Sequence, residues 1–313
     1  MTEPLVSAGS GGPLLARKKT GGTTPTPDTT TAPAPAPAPA PSPTPAPAGP
    51  TPAFADGFDT GARSAQQSGY GWTFTQNGAD GDAVGISSTV ARSGSYSMKF
   101  TYGANSNLCD DAFAEQRFTL GENLPEVWFE YYVFIPAGGT AAGAKFHHRS
   151  PLCAAQNDPN GVDSNNKFFV LWDVDYVNKH VRAMFEYRRS RTGADGDSNL
   201  YGMWGTDTRA SGDYGWPGHM WDPAFTDAMK GRWVQIRIHT KVADSKAAAN
   251  GMVQLWADGV LRVNMQNLDL AASAGGNNYF KNGYLMGWSN SGFNQTSAVY
   301  VDDFKIYRSA PGW

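Results

Sequence analysis

From Phe54 onward, apolar and polar residues alternate in segment after segment, Gly, Asn and Asp stand between the segments, and no window of about 12 residues sustains a helical period. That pattern leaves antiparallel sheet as the main way to bury the apolar positions. Strands are expected near 95–102, 114–120, 127–135, 167–174, 180–188, 233–241, 251–265, 283–289 and 298–307. Asp258-Gly259 divides the 251–265 stretch into a hairpin, because Asp-Gly accepts the positive φ angles of a tight turn. One short helix is expected over 222–231, between Asp222 as its cap and Gly231 as its stop. So many strands in about 260 residues predict an all-β chain folded as a two-sheet antiparallel sandwich. The segments "FADGFDTG" (54–61) and "VDDFKIY" (301–307) are expected to pair as first and last strands and close one domain over 54–313.

Upstream, residues 23–52 are nearly all Thr, Pro and Ala, with nothing to bury. Proline fixes φ and removes backbone donors, so 23–53 reads as a disordered, extended stalk. The 1–22 peptide is too short to fold alone; "PLLARKK" gives it apolar and basic contacts with which to anchor to a larger assembly, and a plain disordered tail is the other reading. Glycine and serine interrupt every apolar run of the first 22 residues, so Sec export is not expected. A domain of surface type without that signal points to display by another route, of which assembly into a bacteriophage virion is one. No run of about 19 apolar residues exists to span a bilayer as a helix. A formal charge of −3 gives no basic surface for nucleic acid. Cys109 and Cys153, the two cysteines, lack zinc-ligand spacing and are either a pair or two buried thiols.

Two strands carry a polar stripe. In 180–188, His180, Arg182, Met184, Glu186 and Arg188 alternate with Val181, Ala183, Phe185 and Tyr187; in 233–241, Gln235, Arg237 and His239 alternate with Val234, Ile236 and Ile238. Side by side they would form a curved hydrogen-bonding floor, and guanidinium forks bind carboxylates bidentately. The opposing reading is an ordinary solvated sheet face. The stretch 199–221 reads as a long loop bearing Tyr201, Trp204, Tyr214, Trp216 and Trp221, with Trp204 and Trp216 as rings on which a sugar could stack, or as a satellite core. These residues make a polysaccharide or cell-surface glycan the expected partner. "AKFHHRS" (144–150) places His147 and His148 on opposite strand faces, so only one can join that surface. Asp56, Asp59, Asp302 and Asp303 on the two end strands offer oxygens to a structural calcium, and no cofactor is otherwise required.

In order, "GSYSMKFTYGA", "AEQRFTLGENLPEVWFEYYVFIPA", "NNKFFVLW", "GRWVQIRIHTKV", "GMVQLWADGVLRVN" and "YVDDFKIY" resemble the concanavalin A-like jelly roll shared by legume-type lectins, glucanases and several polysaccharide lyases. The resemblance implies a jelly roll and leaves binder and enzyme open. Alginate lyases of this fold carry Arg-x-Glu-x-Arg, Gln-x-His and Tyr-Phe-Lys-x-Gly-x-Tyr strands. Here "FAEQR" keeps Glu115 and Arg117 but has Phe113 in the first position, and "KFHH" lacks the glutamine. "YFKNGYLMG" keeps Tyr279, Lys281 and Gly283, with the next tyrosine at Tyr284. If the chain is a lyase, the resemblance implies Arg117 and His148 as neutralisers of a uronate carboxylate, with Lys281 beside them and Tyr279 or Tyr284 as base. The glucanase Glu-x-Asp-x-x-Glu strand is absent. Three readings stay open: a glycan binder on a stalk, a lyase acting on an acidic glycan, and a structural decoration.

Overall fold

The computed structural model describes residues 49–79, 81–104, 112–136, 165–174, 180–189, 198–206, 218–225, 230–273, 275–289 and 296–313. Fifteen strands run through them: β1 (Phe54–Asp56), β2 (Tyr70–Asn77), β3 (Ala83–Ser87), β4 (Ser97–Tyr102), β5 (Ala112–Leu124), β6 (Glu126–Phe134), β7 (Asn165–Trp172), β8 (Val181–Arg189), β9 (Ser198–Thr206), β10 (Gly218–Phe225), β11 (Trp233–Lys241), β12 (Gly251–Ala257), β13 (Val260–Leu268), β14 (Phe280–Ser289) and β15 (Ser297–Tyr307). An eight-stranded sheet has the order β13-β12-β11-β6-β15-β4-β3, with β1 joined to β15. A seven-stranded sheet has the order β10-β9-β8-β7-β14-β5-β2. The expected two-sheet antiparallel sandwich is thus formed.

Alternation decides what lies between the sheets. Along β11, Val234, Ile236 and Ile238 turn inward, and along β8 Val181, Ala183 and Phe185 do so. Phe118 of β5 is at the centre of an aromatic core, with Trp72, Phe129, Phe169 and Phe304 at ring-centroid distances of 6.3, 5.6, 5.8 and 5.3 Å. Such rings supply most of the buried apolar area in a core like this. The closing pair forms as expected, Phe54 opposite Ile306 and Asp56 opposite Phe304. Asp258 (φ 49°) and Gly259 (φ 75°) turn β12 into β13. Gly283 has a steric reason to be glycine: a Cβ there would stand 2.3 Å from Phe118 Cζ and 2.7 Å from the Val170 carbonyl oxygen.

Two expectations fail. The helix over 222–231 is not formed in its described part, because Gly218–Phe225 is strand β10, paired to β9 from Gly218 opposite Trp204 through Phe225 opposite Ser198. The stretch 199–221 is accordingly not one long loop, since β9 and β10 lie within it. No helix among the described residues is long and apolar enough to cross a membrane.

Candidate functional site

The face of the seven-stranded sheet that turns away from the core carries the concentration of chemistry. On β5, Ala114 and Phe118 point into the core, which sends Glu115 and Arg117 to the far side. Strand register then sets a row across five strands: Arg117 opposite Tyr284, Tyr284 opposite Val170, Val170 opposite Met184, and Met184 opposite Met203. A second row runs Thr119, Asn282, Trp172, Arg182.

This face is no open, solvated floor. Val170, Trp172, Met184, Met203 and Tyr284 form a second apolar cluster, each at most 5% exposed. Set into its border are ionic groups that are equally buried: Glu115 is 0% exposed, Glu186 1% and Arg182 2%. Glu115 accepts from Arg117 Nε, and Glu186 accepts from Lys167 Nζ. Removing charges from water costs several kcal/mol each unless they are paired. Buried charges gathered on one face are common in sites that handle charged ligands.

Aromatic rings frame the arginine. The Arg117 guanidinium carbon lies 5.5 Å from the Phe74 ring centroid and 5.9 Å from that of Trp172, and Trp172 packs on Tyr284 at 5.6 Å. A bulge completes the arrangement. Met286 (φ 57°) and Gly287 (φ 116°) interrupt the β14–β7 pairing between Leu285 and Ser289. A Cβ on Gly287 would meet Tyr284 Cε2 at 2.9 Å and Glu115 Oε2 at 3.3 Å, so the glycine lets the phenol ring and the carboxylate crowd one spot. Beyond the bulge, Trp288 is 44% exposed and rests edge-on against Phe113, with centroids 5.1 Å apart.

Of the candidates proposed for a lyase, Arg117 and Tyr284 are brought together. Lys281 is not: its Nζ donates to the Gly121 carbonyl at 3.1 Å. Tyr279 precedes β14, five residues or about 16 Å of extended chain before Tyr284. His148, like His147, lies outside the described residues, as do Trp216, Cys109 and Cys153.

The expectation of one polar floor built from two adjacent strands is overturned. Arg182 and Glu186 belong to β8 in the seven-stranded sheet, whereas Gln235, Arg237 and His239 belong to β11 in the eight-stranded sheet, on the opposite outer side of the sandwich. There Glu130 gathers Gln235 Nε2, Arg237 Nε and Lys305 Nζ at 3.1, 3.0 and 2.9 Å. His239 bonds Glu126 at 2.7 Å and stacks on Trp128 at 4.6 Å. These contacts bind the strands of that sheet to one another. Arg188 is placed on β8 opposite Asn165. Trp204 is 5% exposed and points into the core opposite Ala183, so it presents no ring to a sugar.

The end-strand aspartates are engaged by protein donors. Asp56 accepts from the Phe58 and Ser64 amides, Ser64 Oγ and Trp72 Nε1, between 2.7 and 2.9 Å. Asp302 accepts from the Arg92, Ser93 and Asp303 amides, and Asp303 takes the Arg92 guanidinium and Ser93 Oγ. Asp59 crowds Gly94, whose Cβ would fall 1.6 Å from its Oδ1. Among the described residues, no group of three or more His, Cys, Asp or Glu is placed to hold a metal.

Sequence reasoning missed Trp172, Lys167 and Phe74. A signal for the first was present: Phe168 to Trp172 is apolar at both parities, which marks a strand buried on both faces.

Comparison with known proteins gives a family model, polysaccharide lyase, matching residues 59–305. Among solved structures, an endo-β-1,4-glucuronan lyase from the fungus Trichoderma reesei is similar at 12% identity and TM-score 0.53, covering 83% of this chain and 96% of that one. The alginate lyase Aly36B is similar at 11% identity and TM-score 0.51, covering 82% and 97%. A Bacteroides ovatus mixed-linkage glucan GH16 protein aligns at 10% identity and TM-score 0.50, covering 81% and 99%. No curated protein sequence matches significantly.

Proposed function

The chain belongs to the polysaccharide lyase family, and from that premise we propose that it cleaves a uronate-containing polysaccharide by β-elimination on the far face of the seven-stranded sheet. The observation that carries the reading is Arg117 opposite Tyr284, beside a buried cluster of carboxylates and cations. The neighbours named for glucuronan and alginate support an acidic substrate class.

A uronate's C5 proton becomes removable when its carboxylate is held by a cation, because negative charge then develops against that cation. Arg117 is the group for that task, with the Phe74 and Trp172 rings flanking its guanidinium. Tyr284, as phenolate, takes the C5 proton. The C5–H electron pair forms the C4=C5 double bond, the C4–O bond breaks with its electron pair on the leaving oxygen, that oxygen takes a proton from water, and Tyr284 returns the C5 proton to solvent.

Ultraviolet absorbance of the new double bond, followed with polyglucuronate, alginate and other uronate polymers, tests this. Tyr284→Phe should lower kcat by about 10²- to 10⁴-fold with the fold intact. Binding without any absorbance by the unsubstituted protein would refute elimination and leave a glycan-binding domain. One observation favours that second reading: the buried Glu115 already pairs with Arg117. Display on a virion or other large particle through residues 1–22, by way of the 23–53 stalk, is part of the same proposal. Failure of the full chain to copurify with such particles more than a chain lacking 1–22 would remove it.

A further inference from the structure

An imidazole and a carboxylate meet at the rim of the seven-stranded sheet, outside the catalytic pair. Asp173 follows Trp172 at the end of β7 and is fully buried. It takes His180 Nδ1 at 2.6 Å on Oδ2 and the His180 amide at 3.1 Å on Oδ1. Asn277 Nδ2 donates to Oδ2 at 3.2 Å, and Asn282 Nδ2 holds the Asp173 carbonyl at 3.0 Å. The ring is wedged on its other side, since a Cβ on Gly276 would lie 3.0 Å from His180 Cδ2. Yet the His180 side chain keeps 38% of its surface exposed.

A histidine fixed in this way has its Nδ1–H committed to Asp173. What remains for a ligand is Nε2, which when protonated is an N–H donor whose charge the buried carboxylate supports. Among the described residues, the charged groups on the elements that meet it are Asp173, Arg182 two residues along the chain on β8, and Lys246, which bonds Ser273 in the segment that carries Gly276. Gly276 and Asn277 add no charge. From the strand spacings, His180 lies about 20 Å from Arg117, three strand intervals across the sheet and four residues along it. A monosaccharide at Arg117 cannot reach it, whereas a polymer can.

We propose that the His180–Asp173 pair is a remote carboxylate subsite, gripping a uronate several sugars from the cleavage point through protonated Nε2. This rests on the uronate reading above. It gives the enzyme a preference for long polyuronate chains.

The test uses the full chain with Tyr284→Phe, so that polymer is not consumed, and measures binding of polyglucuronate and of the same polymer with its carboxylates reduced to alcohols. His180→Gln should lose about tenfold on polyglucuronate and nothing on the reduced polymer. His180→Lys, which keeps a cation, should bind polyglucuronate about as tightly as the parent. Equal losses by His180→Gln on both polymers, no loss on either, a lysine variant no better than glutamine, or a parent that does not bind polyglucuronate would each overturn the proposal. Absence of double-bond absorbance from the unsubstituted protein defeats elimination alone and leaves this binding result readable.

Discussion

Replacing Gly283 by alanine tests how the core holds the site. The new Cβ would stand 2.3 and 2.6 Å from Phe118 Cζ and Cε2, and 2.7 Å from the Val170 carbonyl oxygen. Ordinary carbon contacts are about 3.5–4.0 Å, so the ring or the strands must move by about 1 Å. Phe118 is 0% exposed and has Phe304 and Phe129 at 5.3 and 5.6 Å, so the ring has nowhere to go. Overpacking of this kind costs about 3 kcal/mol, offset by about 0.7 kcal/mol because alanine restricts the unfolded chain. The net loss is about 2 kcal/mol, a fall in Tm of about 4–8 °C for a domain of this size. Urea denaturation of Gly283→Ala, Phe118→Leu and the double variant measures it. The leucine removes the atoms that clash, so the double variant should be more stable than additive costs imply by about 1 kcal/mol. Arg117 adjoins Phe118 on β5, so any lyase rate should fall with the shifted strand. Additive costs, or Gly283→Ala within about 0.5 kcal/mol of the parent, would refute the steric account.

Trp288→Ala should leave stability nearly unchanged, since the ring is 44% exposed, but weaken polysaccharide binding by about fivefold if the ring stacks on a sugar; equal affinity in a pull-down titration would remove it from the site. Burial pushes the Asp302 carboxyl up to about 6, against the opposing hydrogen bonds from the Arg92, Asp303 and Ser93 amides. Because the folded value lies above the ordinary one, the stability it contributes is full below about pH 4 and is lost as pH rises through about 6. Asp302→Asn should therefore flatten the stability–pH curve in that window, and an unchanged slope in urea melts would refute the assignment.

Strand existence was legible because β-periodicity is local. The 233–241 reading matches β11 to the residue, and the Asp258-Gly259 turn lies where the dipeptide required it. The strands β9 and β10 were not legible: "SNLYGMWGT" and "GHMWDPAF" mix Gly, Asp and Pro with their aromatics, and it is register with β8 that holds β9 in the sheet and register with β9 that holds β10. The sugar-stacking reading of Trp204 fails for the same reason. A tryptophan among glycines looks like a loop ring until the strand beside it fixes its parity, and opposite Ala183 that parity is inward.

Sheet membership is a harder matter, because alternation is identical on the two sheets. The stripe of β8 and the stripe of β11 have the same period and similar residues, yet the chain crosses between sheets, as it does from β5 to β6 over Pro125. Nothing local separates the surface where Arg237 and Lys305 close on Glu130 from the one where Glu115 holds Arg117 under two rings. What distinguishes them is β7. With Phe169 and Leu171 inward and Val170 and Trp172 outward, all buried, that strand needs cover on both faces, and the sheet containing it must carry its polar groups in a low-dielectric setting. There a guanidinium would act on a bound carboxylate with less screening than at an open surface, which is the condition that the proposed removal of a proton from carbon requires. The apolar run, more than the polar stripes, therefore points to the sheet proposed for the chemistry.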